Sequence, residues 1–372
     1  MRLLIEKSEL LRALGHVTSV VERRTTIPIL SNVMLSADMN GLEVKGTDLE
    51  REVTESAPAE VSEPGGTTVA AHILHDIVRK LPDGSKVELA SEGEEQRLSL
   101  TARRSRFYLP MLAADDFPDL AAGEMPHAFQ VPTLDLKRLI DKSRFAISTE
   151  ETRYYLNGIY LHAAETDGQA MLRAVATDGH RLAQVEIPAP EGCEGMPGII
   201  VPRKTVHEVH RLIEDTENPV EIALSDSKIQ FVTGPVVITS KLIDGSFPDY
   251  NRVIPQGNDK TMTVAKELFA TAVDRVSTVS TDRGRAIKLS LDNDHLALAV
   301  YNPDGGSATE EIAIDYGAEA LEIGFNARYL LDIAAQLESE TACFRLADPG
   351  SPTIITDEGD PSALYVLMPM RV

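Results

Sequence analysis

Cysteine is scarce in this chain, long apolar runs are absent, and cations are outnumbered. Only two cysteines, Cys193 and Cys343, occur in 372 residues. Two thiols cannot build a disulfide framework, so a reducing, cytoplasmic location is expected. No stretch approaches the roughly 20 apolar residues that span a bilayer, so no membrane partner is expected. The start, Met1-Arg-Leu-Leu-Ile-Glu-Lys7, returns to charge too soon for a signal peptide. There is no Gly-rich phosphate loop, no Lys-Ser/Thr nucleotide motif and no paired-carboxylate cluster, so neither a cofactor nor a metal is expected. Lys and Arg number 36 against 58 Asp and Glu, a net charge of −22. Taken alone, that balance argues against a nucleic-acid partner.

What the chain does have is one pattern written three times. Helix-like segments at Lys7–Val21, Thr133–Ser148 and Ala265–Ser280 start 126 and 132 residues apart. A second series, Ala71–Leu81, Pro202–Ile213 and Asn326–Leu337, recurs after 131 and 124. So long a period, seen three times, predicts three similar domains rather than a solenoid, at residues 1–125, 126–255 and 256–372. The helices carry narrow apolar stripes: Leu136, Leu139, Ile140, Ser143 and Ile147 in one, Ile73, Leu74, Ile77, Val78 and Leu81 in another, Tyr329, Leu330, Ile333, Ala334 and Leu337 in a third. Pro202 and Asn326 are start signals. Between the helices, apolar or alternating runs (Ile29–Ala37, Gly41–Gly46, Gly158–Ala163, Ala286–Leu291) are broken by Asn40-Gly41, Asp167-Gly168 and Asp292-Asn293, which predicts antiparallel hairpins. The fold class is therefore α+β, two helices on an antiparallel sheet in each domain.

Charge is unevenly placed. The six helical segments hold 82 residues with 14 Lys or Arg against 8 Asp or Glu, an excess of +6, which leaves −28 on the other 290. Solvated helix faces often carry such an excess. The sharper reading is an acidic body with one mildly basic helical surface. Joined edge to edge, three units would form an arc that a second copy closes through exposed edge strands. Twelve helices about 8–10 Å apart would enclose an opening on the order of 20–28 Å, wide enough for duplex DNA held through phosphates.

Several runs carry a resemblance. Thr26-Ile-Pro-Ile-Leu-Ser-Asn32, Gly46-Thr-Asp-Leu-Glu50, Thr152-Arg-Tyr-Tyr-Leu-Asn-Gly158, Ala176-Thr-Asp-Gly-His-Arg-Leu-Ala183, Ser240-Lys-Leu-Ile-Asp-Gly-Ser-Phe-Pro-Asp-Tyr250 and Tyr365-Val-Leu-Met-Pro-Met-Arg371 closely resemble the bacterial DNA polymerase III beta subunit, the replicative sliding clamp family. The similarity runs from end to end. It implies a DNA clamp fold, a head-to-tail homodimeric ring around double-stranded DNA without chemistry of its own. It also implies partners that dock short peptides: the polymerase alpha subunit, the clamp loader and other clamp-binding-motif proteins. The implied peptide cleft maps onto Leu156, Thr177, Gly179, His180, Arg181, Leu182, Pro248, Arg252, Val253, Asn326, Tyr329, Val366, Leu367, Met368, Pro369, Met370 and Arg371, with no strong match around Gly284 and Pro352. Leu, Val and Met would give an adaptable floor, with His180, Arg181, Arg252 and Arg371 holding polar groups at the rim.

For DNA, the resemblance points to Arg24, Arg153 and Tyr154, and together with helix charge to Arg79, Lys137, Arg138, Lys204 and Arg211. Phe107 and Leu109, on an expected edge strand, and Thr278 with Val279 are the expected dimer joint. Other readings compete. Asp178 and His180 could serve a hydrolase, but Asp-Gly after an apolar strand is far more often a turn. His207 and His210 could share a metal, yet lack a third ligand at motif spacing and read as a solvated face; His72 and His75 repeat that spacing. Asp282-Arg-Gly-Arg285 reads as a basic turn. An acidic scaffold that binds proteins without encircling DNA is the remaining alternative.

Overall fold

The computed structural model describes residues 1–92, 96–120, 123–213, 218–280, 286–302 and 306–372. The threefold pattern is plain in the element order. The first copy runs β1 (Arg2–Glu6), α1 (Lys7–Val17), β2 (Asn32–Asp38), β3 (Gly41–Thr47), β4 (Arg51–Ala57), β5 (Glu60–Glu63), β6 (Gly65–Ala70), α2 (Ala71–Lys80), β7 (Lys86–Glu92), β8 (Arg97–Ala102) and β9 (Ser105–Leu112). The second has β10 (His127–Val131), α3 (Thr133–Arg144), β11 (Gly158–Thr166), β12 (Gln169–Thr177), β13 (Arg181–Pro188), β14 (Ile199–Pro202), α4 (Arg203–Ile213), β15 (Val220–Leu224), β16 (Lys228–Thr233) and β17 (Val236–Lys241). The third has β18 (Lys260–Ala265), α5 (Lys266–Ser277), β19 (Ala286–Asp292), β20 (His295–Asn302), β21 (Gly306–Ala313), β22 (Leu321–Asn326), α6 (Ala327–Ala334), β23 (Thr341–Leu346), β24 (Thr353–Asp357) and β25 (Asp360–Leu367). Apart from the short β5, the order is the same each time.

The expected helices form, each slightly shorter than its periodicity. Thr18 ends α1 early: its hydroxyl donates back to the Leu14 carbonyl at 2.7 Å, a bond that competes with continuing the helix. Asn326 caps α6 by accepting from the Arg328 N–H, whereas Pro202 closes β14 instead of opening α4. The apolar stripes are buried as expected except at Ile77 and Tyr329, which are half-buried, and Ile73, which stays 54% exposed. Pro28–Ser31 forms a 3-10 turn, so the strand begins at Asn32 rather than Ile29. Asp167 and Gly168 take the positive φ that a two-residue hairpin demands. The third hairpin turns on Asn293 and Asp294, and the first on Met39 and Asn40, each one residue from its expected place.

A common lock ties the start of each copy to the end of its second helix. Lys7 Nζ donates to the Leu81 carbonyl at 2.7 Å, Lys266 Nζ to the Leu337 carbonyl at 3.2 Å, and Thr133 Oγ1 to the Asn218 carbonyl. Beneath, Leu10, Leu14 and Val17 of α1 and Phe269, Val273 and Val276 of α5 are almost wholly buried. Each such side chain stabilises by about 1.5–3 kcal/mol on leaving water.

Packing groups the copies differently from sequence. Met1–Leu136, Glu191–Cys193 and His207–Leu242 form one compact unit, and Lys137–Pro190, Glu194–Val206 and Ile243–Val372 the other. The cause is strand pairing across copies. In the first unit β4 pairs antiparallel with β17, which fuses thirteen strands in the order β10-β15-β16-β17-β4-β3-β2-β6-β9-β8-β7-β1-β5. In the second, β13 pairs with β25 in an eight-stranded sheet, β14-β11-β12-β13-β25-β24-β23-β18, beside a four-stranded sheet, β21-β20-β19-β22. No helix among the described residues is long and apolar enough to cross a membrane.

Candidate functional site

Both fused joints are capped by the same turn. Between β12 and β13, Thr177 Oγ1 donates to the Arg181 carbonyl at 2.7 Å and accepts from the Gly179 N–H at 3.1 Å. Asp178 Oδ1 accepts from the N–H groups of His180 and Arg181 at 2.9 and 3.1 Å, and Oδ2 accepts from Arg181 Nε. Between β3 and β4, Thr47, Asp48, Leu49, Glu50 and Arg51 repeat this network. The loop needs a left-handed residue, Gly179 at φ 89° or Leu49 at φ 73°. Asp178 is thus consumed in shaping a turn, which removes the acid that a hydrolase reading required.

In the second unit this turn lies beside the C-terminal tail, where the peptide groove is expected. The N–H of Met368 donates to the His180 carbonyl at 2.9 Å, and that of Met370 to the Gly324 carbonyl at 2.8 Å. Pro369, lacking a donor, spans between them. The C-terminal residues thereby run from the start of β13 to β22, with Met368 39% and Met370 37% exposed. His180 stacks on Tyr329 at 6.3 Å. Leu182 and Val366, paired across β13 and β25, form a buried cluster with Val175 and Tyr250 beneath the expected groove. The turn at Tyr250–Val253 sets Arg252 and Val253 in solvent, with Arg252 Nε donating to Asp249 at 2.9 Å. Asn326 lies one helical turn before Tyr329. Leu156 is buried at the end of the 3-10 turn Glu151–Leu156. Burial raises the Tyr329 phenol above its usual range, with Asp178 adding to the shift.

Arg181 differs from its expected rim role. Its guanidinium donates to Asp332 at 2.5 Å and to the Phe145 carbonyl at 2.7 Å, besides Asp178. It also lies over the Tyr329 ring at 4.3 Å and that of Phe145 at 5.1 Å. A guanidinium so engaged braces the wall rather than waiting for a ligand. Phe145, Asp332 and Gly324 were invisible as wall residues, because their roles depend on pairing between distant segments. Gly284 and the Asp282–Arg285 turn lie outside the described residues; Pro352 accepts at its carbonyl from Asn258 at 2.9 Å. A cavity of about 1010 Å³ is lined by Pro369, Met370 and Arg371 of the tail and continues past Gly324 to Tyr301.

The expected DNA cations fall into two kinds. Arg24, Arg79, Arg153 and Lys204 are exposed, as is Tyr154. Several have carboxylates one turn away: Arg79 with Asp76 at 3.1 Å, Arg153 with Glu150 at 3.3 Å, Lys137 with Asp141 at 2.7 Å. Arg211 pairs with Glu208 at 3.1 Å and donates to the Gly15 and His16 carbonyls that end α1, which is a structural duty. Arg138 is more committed still. It is hydrogen-bonded to the buried carboxylate of Asp360 and to Ser362 at 2.6 Å, while Lys142 lies 2.9 Å from the same carboxylate.

His207 is exposed but His210 is buried, so the pair does not share a solvated face. His72 bonds the Val21 carbonyl at 2.9 Å. Among the described residues no group of three ligating side chains is assembled for a metal. Of the expected joint residues, Leu109 is already buried in its own unit at 7% exposure and Phe107 half-buried. Thr278 and Val279 follow α5; Thr278 bonds the Asp274 carbonyl, and the Val279 carbonyl accepts from Asn302.

Comparison with known proteins gives a consistent result. Domain families described as the DNA polymerase III beta subunit N-terminal, central and C-terminal domains match residues 1–121, 130–249 and 251–371. The beta sliding clamp of Caulobacter vibrioides is 53% identical over 372 residues, and that of Escherichia coli K12 38% over 373, each covering 100% of both chains. Among solved structures, Caulobacter crescentus pol III beta superposes with a TM-score of 0.97 at 53% identity. A Bartonella birtlesii DnaN sliding clamp bound to griselimycin does so with 0.97 at 51%, both covering 100% of each chain.

Proposed function

The chain belongs to the DNA polymerase III beta subunit family, the bacterial sliding clamps, and from that membership we propose how its own residues do the work. It is a non-catalytic processivity subunit. Two copies close head to tail around duplex DNA in the cytoplasm, and the ring tethers the replicative polymerase and other DNA-processing proteins.

One observation supports closure by a second copy. Each internal joint mates the third strand of one helix-to-helix ladder with the last strand of the next copy, β4 with β17 and β13 with β25. The corresponding strands at the two ends are left over. β21 is the terminal strand of its sheet, and β9 along Ser105–Leu109 is paired only on its β8 side. Pairing β21 with a partner's β9 would repeat the same joint between chains and hide both edges. Arg106, Tyr108 and Pro110 face outward along β9 and extend the expected joint beyond Phe107 and Leu109. The three domains, 1–125, 126–255 and 256–372, are then the repeating units of the ring.

DNA is held by phosphate contacts from Arg24 and Lys204 with Tyr154 alongside, and from Arg79, Arg153 and Lys137 after exchange with Asp76, Glu150 and Asp141. Partner peptides lie in the groove between the Thr177–Arg181 turn, the 248–253 segment, the first turn of α6 and the Met368–Arg371 tail. Retention on DNA is the test. After loading onto nicked circular DNA the protein stays bound through gel filtration, and linearising the circle releases it. Equal loss from circle and line would refute encirclement and leave an acidic scaffold.

A further inference from the structure

The face of β11 and β12 beneath the 247–250 segment carries a ladder of rings that the function above does not use. Phe247 stacks flat on Tyr160, 4.8 Å between centroids and 5° between planes. Tyr160 stacks on His162 at 4.6 Å, and His162 meets Tyr250 at 5.8 Å. Phe247 and Tyr250 therefore grip the two ends of a Tyr160–His162 pair, with Pro248 and Asp249 held between them.

The hydrogen bonds around Tyr250 run in one sense only. His162 Nδ1 lies 2.8 Å from the Ala163 carbonyl, which can only accept, so that nitrogen carries the proton. Nε2 is then the acceptor, and it takes the Tyr250 hydroxyl proton at 3.0 Å. The Tyr250 oxygen accepts in turn from Arg173 Nη1 at 3.0 Å. Arg173 is fixed from behind, donating to Glu186 at 2.8 Å and to Thr166 at 2.7 Å. On its other side the Tyr250 ring packs on Val175, Leu182 and Val366.

We infer that Tyr250, wired to neutral His162 and to Arg173, is a positioning residue for the peptide groove, fixing the segment that carries Pro248, Arg252 and Val253 against the groove floor. The inference rests on the proposed groove. Protonation of His162 undoes the wiring. A second N–H would point at a hydroxyl oxygen that already receives one from a guanidinium, and the Tyr250 proton would lose its acceptor. The charged and titratable groups facing His162 are Arg173 on β12, Glu186 on β13, Tyr160 on its own strand and Tyr250 on the segment above. Glu186 is already spoken for by Arg173 and Thr166. Burial, and then the charge of Arg173, hold the His162 imidazole below its ordinary value against the pull of the Ala163 carbonyl and Glu186. A depressed value means that the neutral wiring is complete above about pH 6.5 and fails as pH falls through the lowered one.

The experiment is fluorescence anisotropy with a fluorescein-labelled clamp-binding peptide of the replicative polymerase alpha subunit, on the full chain at pH 7.5 and 5.5, with thermal melting alongside. Tyr250→Phe keeps the ring and loses the hydroxyl; binding at pH 7.5 weakens about fivefold, the scale of one well-partnered hydrogen bond. The unaltered protein binds more weakly at pH 5.5 than at 7.5, by less than that factor because the His162 value is lowered, and His162→Gln, which keeps an acceptor but cannot titrate, flattens that dependence. A version ending at Leu367 loses the peptide at both pH values. If it binds normally, the groove itself is elsewhere and the inference falls with it. If it loses the peptide while Tyr250→Phe and His162→Gln keep the affinity and pH profile of the unaltered protein, the groove stands and the positioning role is refuted.

Discussion

Asp360 places a heavy energetic demand on the fold. Its side chain is 2% exposed, and it faces Lys142, 6% exposed, across 2.9 Å, with Arg138 hydrogen-bonded to the other oxygen. Replacing Asp360 by Asn leaves shape intact and strands two cations of α3 against the end of the eight-stranded sheet. Breaking a buried pair from one side costs about 3–5 kcal/mol. Lys142 keeps Glu338 at 2.8 Å and the Gln336 carbonyl at 2.9 Å, so roughly 2–3 kcal/mol is expected here. For a unit of about 200 residues that lowers Tm by roughly 5–10 °C. The two compact units need not melt together. Calorimetry should therefore be paired with hydrogen exchange at α3 and β25, where the loss of protection is expected to concentrate. The pH dependence has a definite sign. Burial raises the Asp360 carboxyl, but the bonds and charges of Lys142, Ser362 and Arg138 outweigh burial and hold it below the usual range. A depressed carboxylate contributes fully above about pH 4 and loses that contribution only as pH falls through its folded value. The gap between Asp360→Asn and the unaltered protein should be constant from pH 8 to 5 and close in acid. A Tm within 1 °C at pH 7, about the resolution of a surface substitution, would refute the buried-pair reasoning.

Two other outcomes follow from contacts already described. Gly324→Ala places a Cβ 2.6 Å from the Met370 carbonyl and 2.3 Å from Val372 Cγ1, so the tail is pushed off β22. Anisotropy should show peptide affinity falling several-fold with Tm nearly unchanged. Reversal of Arg79 and Lys204 to Glu should shorten the lifetime on nicked circular DNA and leave peptide affinity intact, as measured by filtration and anisotropy; an unchanged lifetime would remove both residues from the DNA surface.

Local features were legible in the sequence, and long-range ones were not. The helices were found because i, i+3, i+4 stripes such as Leu136, Leu139, Ile140 report burial directly. The hairpin at Asp167-Gly168 was found because its φ angles admit few residue types. The engagement of Arg138 is hidden from the sequence for the opposite reason. Its charge is visible on a helix face, but its partner Asp360 lies 222 residues away, and nothing local announces the pair. The two packing units stayed hidden likewise, because β4 and β17 meet across some 180 residues. Within the groove, Met368 and Met370 were legible as an apolar end. The commitment of Arg181 to Phe145 and Asp332 was not, since three separate segments supply it.

The carboxylates that sit one turn from Arg79, Arg153 and Lys137 bear on how the protein travels. On the proposed DNA surface, a phosphate arriving at such a cation would displace an acid that was already balancing it, and a departing phosphate would be replaced at once by that acid. Each handover is close to energetically level, since exposed pairs of this kind differ by only about 0–1 kcal/mol. With these contacts, motion along the duplex would meet a nearly flat potential rather than a row of sticky steps, and the drag on the tethered enzyme would stay small.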